Sequence, residues 1–311
     1  MSPVISVAFP VFGVIAAGLF AGRMKLASAE DCAALNRFVF RFGFPAALFG
    51  LMSGASGLTE QDARLAISYG VSALAIIASA YLIGRKVFAL EPQAAGAHAF
   101  ASTIGNAVFL GLPIALGIEG WARPFVTLML VEGILVIGVG AALMSPRDAE
   151  SVSASRRLAG FLARPLKNPL VAAALAGFFF ASLGLTLPFP VRAFFDLVGR
   201  AAGPVALFSL GLFFATHRLP PIGATLGKSA SIAALKMMAL PAIAFGIASL
   251  LRIDDASYRG ALALFTVTPT AVGAFVMASQ YGRYVDETAA AIAVTTALSV
   301  LSISAVLLLF A

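Results

Sequence analysis

Long apolar stretches, each close to the thickness of a bilayer, recur along the whole chain between short polar segments. Because backbone groups in lipid have no water to bond, such stretches are predicted to be helices rather than strands. We predict ten spans, five in each half: Val4–Ala21, Leu35–Met52, Leu65–Phe88, Ala95–Ile118, Phe125–Met144, Leu170–Leu185, Val191–Ala215, Ser229–Leu251, Gly260–Tyr281 and Thr288–Phe310.

The second half of the chain repeats stretches of the first. Residues 45–51 (Pro-Ala-Ala-Leu-Phe-Gly-Leu) return as residues 204–210 (Pro-Val-Ala-Leu-Phe-Ser-Leu), an offset of 204 − 45 = 159. Pro113 and Pro269 lie inside apolar spans at an offset of 269 − 113 = 156. With five spans per half, the second half enters the membrane the opposite way round. This pattern predicts inverted repeats with two proline-broken helices and a substrate site at the repeat interface.

The composition excludes most soluble classes. Sixty percent of the residues are hydrophobic and 11% are charged, whereas about a quarter of a soluble domain is charged. The net charge of +7 is therefore attributed to cytoplasmic loops rather than to nucleic-acid binding. One cysteine and two histidines give no disulfide and no zinc site, so we expect no metal and no cofactor. A phosphate-binding ATPase motif and a paired nucleophile and base are both missing from the sequence, so we expect neither a pump nor an enzyme.

Lysine and arginine are concentrated in alternate loops, which predicts that those loops are cytoplasmic. The basic set comprises Arg23, Lys25, Arg85, Lys86, Arg147, Arg156, Arg157, Arg164, Lys167, Arg218, Lys228 and Arg283. Both termini would then face outward from the inner membrane of a cell. The chain divides into a first repeat (1–144), a cytoplasmic linker (145–167) and a second repeat (168–311). Residues 156–166 form either a basic amphipathic helix on the inner leaflet or a solvated linker.

The two predicted helix breaks are flanked by polar and small residues. A proline in a helix frees backbone groups, which at membrane depth must find a partner such as water, an ion or a substrate. Asn106 lies seven residues before Pro113 and offers two donors and an acceptor to a carboxylate. Thr268 and Thr270 flank Pro269. These five residues are candidates for substrate binding. The alternatives are a helix-to-helix hydrogen bond for Asn106 and a bond to the local helix carbonyl for each threonine.

Ionisable residues inside predicted spans are costly and suggest function. Glu132, near the middle of the fifth span, is a candidate proton carrier or the partner of a buried cation. Lys236 is the natural counter-charge for an anionic substrate or for Glu132, and Arg41 is a second candidate cation in the second span. Asp196 and Arg200 are four residues apart, which favours a local ion pair.

The chain resembles bacterial members of the auxin efflux carrier family, which includes the plant PIN auxin carriers and bacterial malonate carriers. The resemblance covers nearly the whole chain in order. It is carried by Asn36-Arg37-Phe38-Val39 running into Pro45, Asn106 through Gly111-Leu112-Pro113, Asn168-Pro169-Leu170, Phe208 through Phe213, and Pro269 through Tyr281.

This resemblance implies an all-α membrane protein of ten helices in two inverted five-helix repeats, similar in fold to bile-acid symporters and sodium/proton antiporters. Helices 1, 2, 6 and 7 would form a scaffold domain that dimerises, and helices 3–5 and 8–10 an elevator-like transport domain. The substrate would bind beside the crossover helices, at Asn106, Pro113 and Pro269. The short linker departs from the plant pattern. Arg41 and Lys236 do not belong to the plant motif, which argues against auxin itself as the substrate.

The sequence therefore predicts a secondary transporter of a small organic anion, either a malonate-like carboxylate or an auxin-like acid. A coupling proton or sodium ion and the surrounding lipid are the other expected partners. A sodium/proton antiporter or a sodium-coupled symporter of the bile-acid type is the alternative. The embedded aspartates typical of antiporters are missing from the middle of the predicted spans.

Overall fold

The computed structural model describes residues 3–54, 59–144, 169–216 and 222–310. Across these ranges every regular element is helical, apart from one isolated antiparallel bridge between Gly105 and Thr270. The prediction of an all-helical chain is confirmed. The predicted linker, residues 145–167, and its proposed amphipathic helix lie outside the described residues.

Helices in the first half are interrupted by short π-helical turns and by one open break. In chain order they are α1 (Pro3–Arg23), α2 (Ala29–Phe38), a π turn (Val39–Gly43), α3 (Phe44–Ser53), α4 (Glu60–Lys86), α5 (Pro92–Ala101), a π turn (Ala107–Gly111), α6 (Leu112–Leu116), α7 (Ala122–Val131), a π turn (Glu132–Val136) and α8 (Ile137–Met144).

The second half also contains helices with a π turn and a break between two of them. Its elements are α9 (Pro169–Ser182), α10 (Phe189–Thr216), α11 (Ile222–Ala234), a π turn (Leu235–Ala239), α12 (Leu240–Leu250), α13 (Ala256–Val267), α14 (Val272–Tyr281) and α15 (Val285–Phe310).

Several helices are long and apolar enough to cross a bilayer, which supports a multi-pass membrane protein. Among the described residues five meet this description by length and composition: Glu60–Lys86, Ala122–Met144, Phe189–Thr216, Thr225–Leu250 and Val285–Phe310. Shorter apolar helices accompany them at Phe12–Arg23, Ala107–Leu116 and Pro169–Ser182.

The first helix break does not lie at Pro113. Residues 102–106 are the non-helical ones. The chain resumes as a π turn at Ala107, and α6 then begins at Leu112 with Pro113 in its first turn. In the π turn the N–H of Leu112 bonds to the carbonyl of Ala107, five residues back. This wider turn relieves the clash that a proline ring makes with the preceding turn, so the helix tolerates Pro113. Asn106 therefore lies inside the break rather than two turns before it.

Close helix packing depends on small residues. A Cβ atom added to Gly18 would overlap the carbonyl oxygen of Phe208, and one added to Gly211 would overlap that of Ile15. Such glycines let α1 and α10 approach closely, as small residues do in membrane proteins. The helix α3 packs against α9 and α10, whereas α4 packs against α5 and α12, and α15 against α11 and α13.

Candidate functional site

The two helix breaks meet in the interior and pair with each other. The N–H of Asn106 donates to the carbonyl of Pro269 over 2.7 Å, and the N–H of Ala271 donates to the carbonyl of Ile104 over 3.3 Å. Gly105 and Thr270 form the antiparallel bridge between these two bonds. Backbone groups freed by one break are thereby satisfied by the other, as buried polar groups require.

At the junction of the two helix breaks, the side-chain amide of Asn106 has an unsatisfied hydrogen-bond donor. Its side chain is 2% exposed, and its amide Nδ2 has no hydrogen-bond partner in the structure. It lines a cavity of about 460 Å³. A buried N–H without a partner costs roughly 1–3 kcal/mol. A hydrogen-bond acceptor on a bound molecule would remove this cost.

This first cavity is mainly apolar. Its polar side chains are Asn36, Asn106 and Glu132, and backbone of both breaks contributes to the wall. The apolar lining includes Phe40, Leu48, Phe100, Ile104, Val108, Phe109, Val126, Met129, Leu130, Ile137, Leu170, Val171, Val276 and Met277. Among the described lining residues there is no lysine or arginine. A few placed polar groups in an apolar wall are typical of small-molecule sites.

The threonines of the second break bond to helix carbonyls. The hydroxyl of Thr270 donates to the carbonyl of Ala101 at the end of α5 over 3.0 Å, and that of Thr268 to Phe265 over 2.7 Å. Both threonines are fully buried. The lining of the first cavity includes Ala271 and Gly273 but not Thr268, Pro269 or Thr270. These hydroxyls act as caps for broken helices in the structure.

Glu132 contacts both the first helix break and the first cavity. It opens a π turn, is 6% exposed and lines the cavity. Its Oε1 accepts the hydroxyl of Tyr69 and the N–H of Gly105, both over 2.9 Å. Two donors on one carboxyl oxygen fix the side chain beside Asn106.

Lys236 approaches the same glycine from the second half of the chain. It lies in a π turn, is 1% exposed, and its Nζ donates to the carbonyl of Thr266 over 2.8 Å. That carbonyl belongs to the last turn of α13, where a cation is favourable. A Cβ at Gly105 would lie 3.4 Å from Nζ. Gly105 therefore lies between the buried side chains of Glu132 and Lys236. The two charges attract each other, but no ion pair within 4.0 Å joins them in the described chain.

Other sequence candidates lie elsewhere. Arg41 is exposed and is not among the residues that line the first cavity. Pro113 lines a second cavity, of about 690 Å³, together with Asp196 and Arg200. The ion pair expected between Asp196 and Arg200 is absent from the described contacts. Both side chains are exposed in the structure, and holding two long side chains in one pairing geometry costs rotamer entropy.

Two partners of the site were missed by the sequence reading. Tyr69 is fully buried in α4 and holds Glu132; a hydroxyl in an apolar span was the available signal. Asn36 lines the first cavity, and its Oδ1 accepts the hydroxyl of Ser209 over 2.5 Å. Asn36 belonged to the family motif but was not assigned to the site. Over the described residues, no cluster of three His, Cys, Asp or Glu side chains is arranged to hold a metal ion.

A polar cluster joins α4, α7 and α13 away from the cavity. Asp62 is 1% exposed and forms an ion pair with Arg123 over 2.7 Å. Its other oxygen accepts the hydroxyl of Tyr258 over 2.8 Å. The N–H and hydroxyl of Thr59 donate to the oxygen that pairs with Arg123, over 2.9 and 2.8 Å. This cluster ties together three helices that surround the junction.

Comparison with known proteins places the chain in a family. A family model described as "Membrane transport protein" matches residues 3–307. A protein of Rhizobium meliloti (strain 1021) named "Putative malonate transporter" is 28% identical over 313 residues, covering 99% of this chain and 96% of the relative. An uncharacterized transporter of Methanocaldococcus jannaschii is 27% identical, with 94% of each chain covered. One of Escherichia coli (strain K12) is 24% identical, with 92% and 91% covered. The chain belongs to this membrane transport protein family, the auxin efflux carrier family.

Proposed function

We propose that the protein is a secondary transporter that carries a small organic acid across the cytoplasmic membrane, with its site at the paired helix breaks. The observation that supports this most strongly is the buried, unpartnered amide of Asn106 facing a cavity of ligand size. Helical chain resumes at Ala107 and Val272, directly after the breaks. The positive ends of these segments favour a carboxylate at the junction.

The proposed substrate is a carboxylate, either malonate-like or auxin-like. The name of the Rhizobium relative favours malonate. The apolar lining and the lack of a lining cation favour an acid with an apolar body. In both cases Asn106 would donate to the carboxylate. Lys236 would balance its charge from behind Gly105, and Arg41 would act only if it moved toward the site.

We propose proton coupling through Glu132. This carboxyl lies at the cavity wall, so a proton taken up there would remove a negative charge beside the entering anion. Because protonation lowers the repulsion between the two carboxylates, binding of the proton and binding of the substrate favour each other. Sodium coupling, as in symporters of the bile-acid type, and sodium/proton antiport are the alternatives.

The proposed architecture is two inverted five-helix repeats, 1–144 and 168–311, with crossover helices at the two breaks. Contacts of α1, α3, α9 and α10 support a scaffold domain, and contacts among α4, α5, α12, α13 and α15 support a transport domain. An elevator motion of one against the other, a homodimer through the scaffold and outward-facing termini complete the proposal.

Uptake into proteoliposomes tests the proposal. Labelled malonate and labelled indole acetate would be offered separately, with the proton and sodium gradients varied independently. We expect one acid to accumulate under an inward proton gradient without sodium, and counterflow to distinguish a carrier from a channel. Accumulation that follows only the sodium gradient would favour the symporter alternative, and no uptake of either acid would contradict the proposed substrate.

A further inference from the structure

The second cavity contains charged side chains that the proposed transport site does not use. It lies between α1, α3, α6 and α10, and its charged lining residues are Arg192, Asp196 and Arg200. The first cavity reaches residues 104–109, whereas the second reaches Pro113, Leu116 and Gly117. The two cavities therefore meet opposite ends of the segment that follows the first break.

Arg200 lies deep along its helix. The helix α10 has 28 residues, which corresponds to a length of about 42 Å. Arg200 is 200 − 189 = 11 residues beyond its start, or about 17 Å along the axis. If the helix is centred in a hydrocarbon layer of about 30 Å, the backbone at Arg200 is roughly 10 Å inside that layer. A cation at this depth is expensive unless something compensates it.

The guanidinium of Arg200 has no partner among the residues that the structure describes. No ion pair or hydrogen bond connects it with Asp196, one helical turn away, or with another described residue. The side chain is exposed and lines a cavity of about 690 Å³. Its charge is therefore open to an occupant of that cavity.

We propose that the second cavity is an anion-binding site in which Arg200 holds a carboxylate of a soluble acid. A guanidinium offers two parallel N–H donors to a carboxylate, a geometry that lysine lacks. Arg192, two helical turns nearer the start of α10, would attract the anion at the mouth, and Asp196 between them limits the net charge to +1 (2 − 1). This anion is the transported acid only if the proposed function holds, but the site itself does not depend on transport.

Thiol labelling tests the site without requiring transport. A cysteine would replace Leu51, which lines the cavity, in a Cys32→Ala background. The rates of reaction with a sulfonate-bearing and a trimethylammonium-bearing methanethiosulfonate of equal size would then be compared. We expect Arg200→Gln to lower the ratio of anionic to cationic rates about tenfold. Arg200→Lys should restore most of the ratio, whereas Arg252→Gln, an equal charge change outside the cavity, should leave it unchanged.

Malonate serves as the probe anion in the same assay. We expect malonate to slow labelling of the parent and not of Arg200→Gln, in detergent and in phosphatidylcholine nanodiscs alike. An equal rate ratio in the parent and in Arg200→Gln would overturn the proposal. Labelling that phosphatidylglycerol nanodiscs slow and malonate does not would also overturn it, because the arginine would then bind a lipid headgroup. A parent that is protected by malonate but transports no carboxylate would support the anion site while contradicting the proposed function.

Discussion

The N–H of Asn106 and the carbonyl of Pro269, which are 269 − 106 = 163 residues apart, form a hydrogen bond of 2.7 Å. The residue that offers a free amide to the cavity is thus held in place by the opposite helix break. Because its backbone is fixed, the side chain can keep its donor unsatisfied until a ligand arrives. Such preorganisation is what a binding site on rigid elements needs.

Gly105→Ala should disrupt the junction. A Cβ at this position would overlap the hydroxyl of Thr268 and come into van der Waals contact with Lys236. We expect a loss of about 1–3 kcal/mol in the free energy of unfolding from overpacking, measured by thermal unfolding in detergent, together with reduced transport.

Gly246→Ala is the matched control for this change. It lies inside α12, and a Cβ there would meet nothing within 4 Å. Alanine is favoured over glycine in a helix interior by up to about 1 kcal/mol, so we expect a neutral or stabilising effect. Equal behaviour of the two variants would show that the space around Gly105 is not limiting.

The buried charges beside Gly105 should depend on each other. Lys236→Met leaves Glu132 without its nearest buried cation, and we expect the free energy of unfolding to fall by about 3–5 kcal/mol. The double variant Lys236→Met/Glu132→Gln should recover part of this loss, because no uncompensated charge remains. Thermal unfolding of the two single variants and the double variant gives the coupling energy. Additive losses would mean that the charges do not interact.

Glu132→Gln should abolish the pH dependence of transport, because glutamine cannot carry a proton. Tyr69→Phe removes one donor to Glu132 and should shift the pH profile without abolishing it. Tyr81→Phe, on the same helix and outside the first cavity, is the control. The measurement is initial uptake against pH with sodium held constant. A profile that Glu132→Gln does not alter would rule out this residue as the proton carrier.

Asp62→Asn should strongly destabilise the protein. It removes a buried charge that pairs with Arg123 and accepts from Tyr258, at an expected cost of about 3–5 kcal/mol. Glu60→Gln, two residues away, breaks an exposed pair with Arg64 and should cost at most about 1 kcal/mol. Denaturation of both variants in the same detergent decides whether burial makes the difference.

The predicted orientation places residue 152 in the cytoplasm. A Val152→Cys variant without Cys32 should react with a membrane-impermeant thiol reagent only after the cells are permeabilised. The physical reason is the arginine-rich composition of residues 145–167, which retains such loops on the cytoplasmic side. Labelling in intact cells would reverse the predicted topology.

The apolar pattern was sufficient to predict an all-helical chain but not the internal irregularities of the helices. The second span was predicted as Leu35–Met52, and the structure has helix from Ala29 to Ser53 with a π turn inside it. Proline suggested a break at Pro113, yet the break lies at residues 102–106. Hydropathy reports burial in lipid, whereas the place of a break depends on which distant backbone group can satisfy the freed amides.

The candidate site was predictable only in part. Glu132 and Asn106 stood out because polar residues are rare in apolar spans, and the structure brings both to one cavity. Their partners were harder to predict, since a hydroxyl in an apolar span marks Tyr69 as unusual but nothing in the sequence pairs Tyr69 or Gly105 with Glu132. The prediction of an ion pair between Asp196 and Arg200 was wrong, because spacing along a helix does not determine which way long side chains turn.

Substrate binding by Asn106→Ala tests the central claim most directly, with Thr296→Ala as the matched control. Both changes remove a buried polar atom that has no partner, but only Asn106 lines the first cavity. We predict that Asn106→Ala weakens binding of the transported acid roughly ten- to a hundredfold, as expected from losing one hydrogen bond to a charged ligand. The variant should remain folded and monodisperse, and Thr296→Ala should bind as the parent does. Unchanged affinity in Asn106→Ala, measured by isothermal titration on the purified protein, would contradict the assignment of the helix junction as the substrate site.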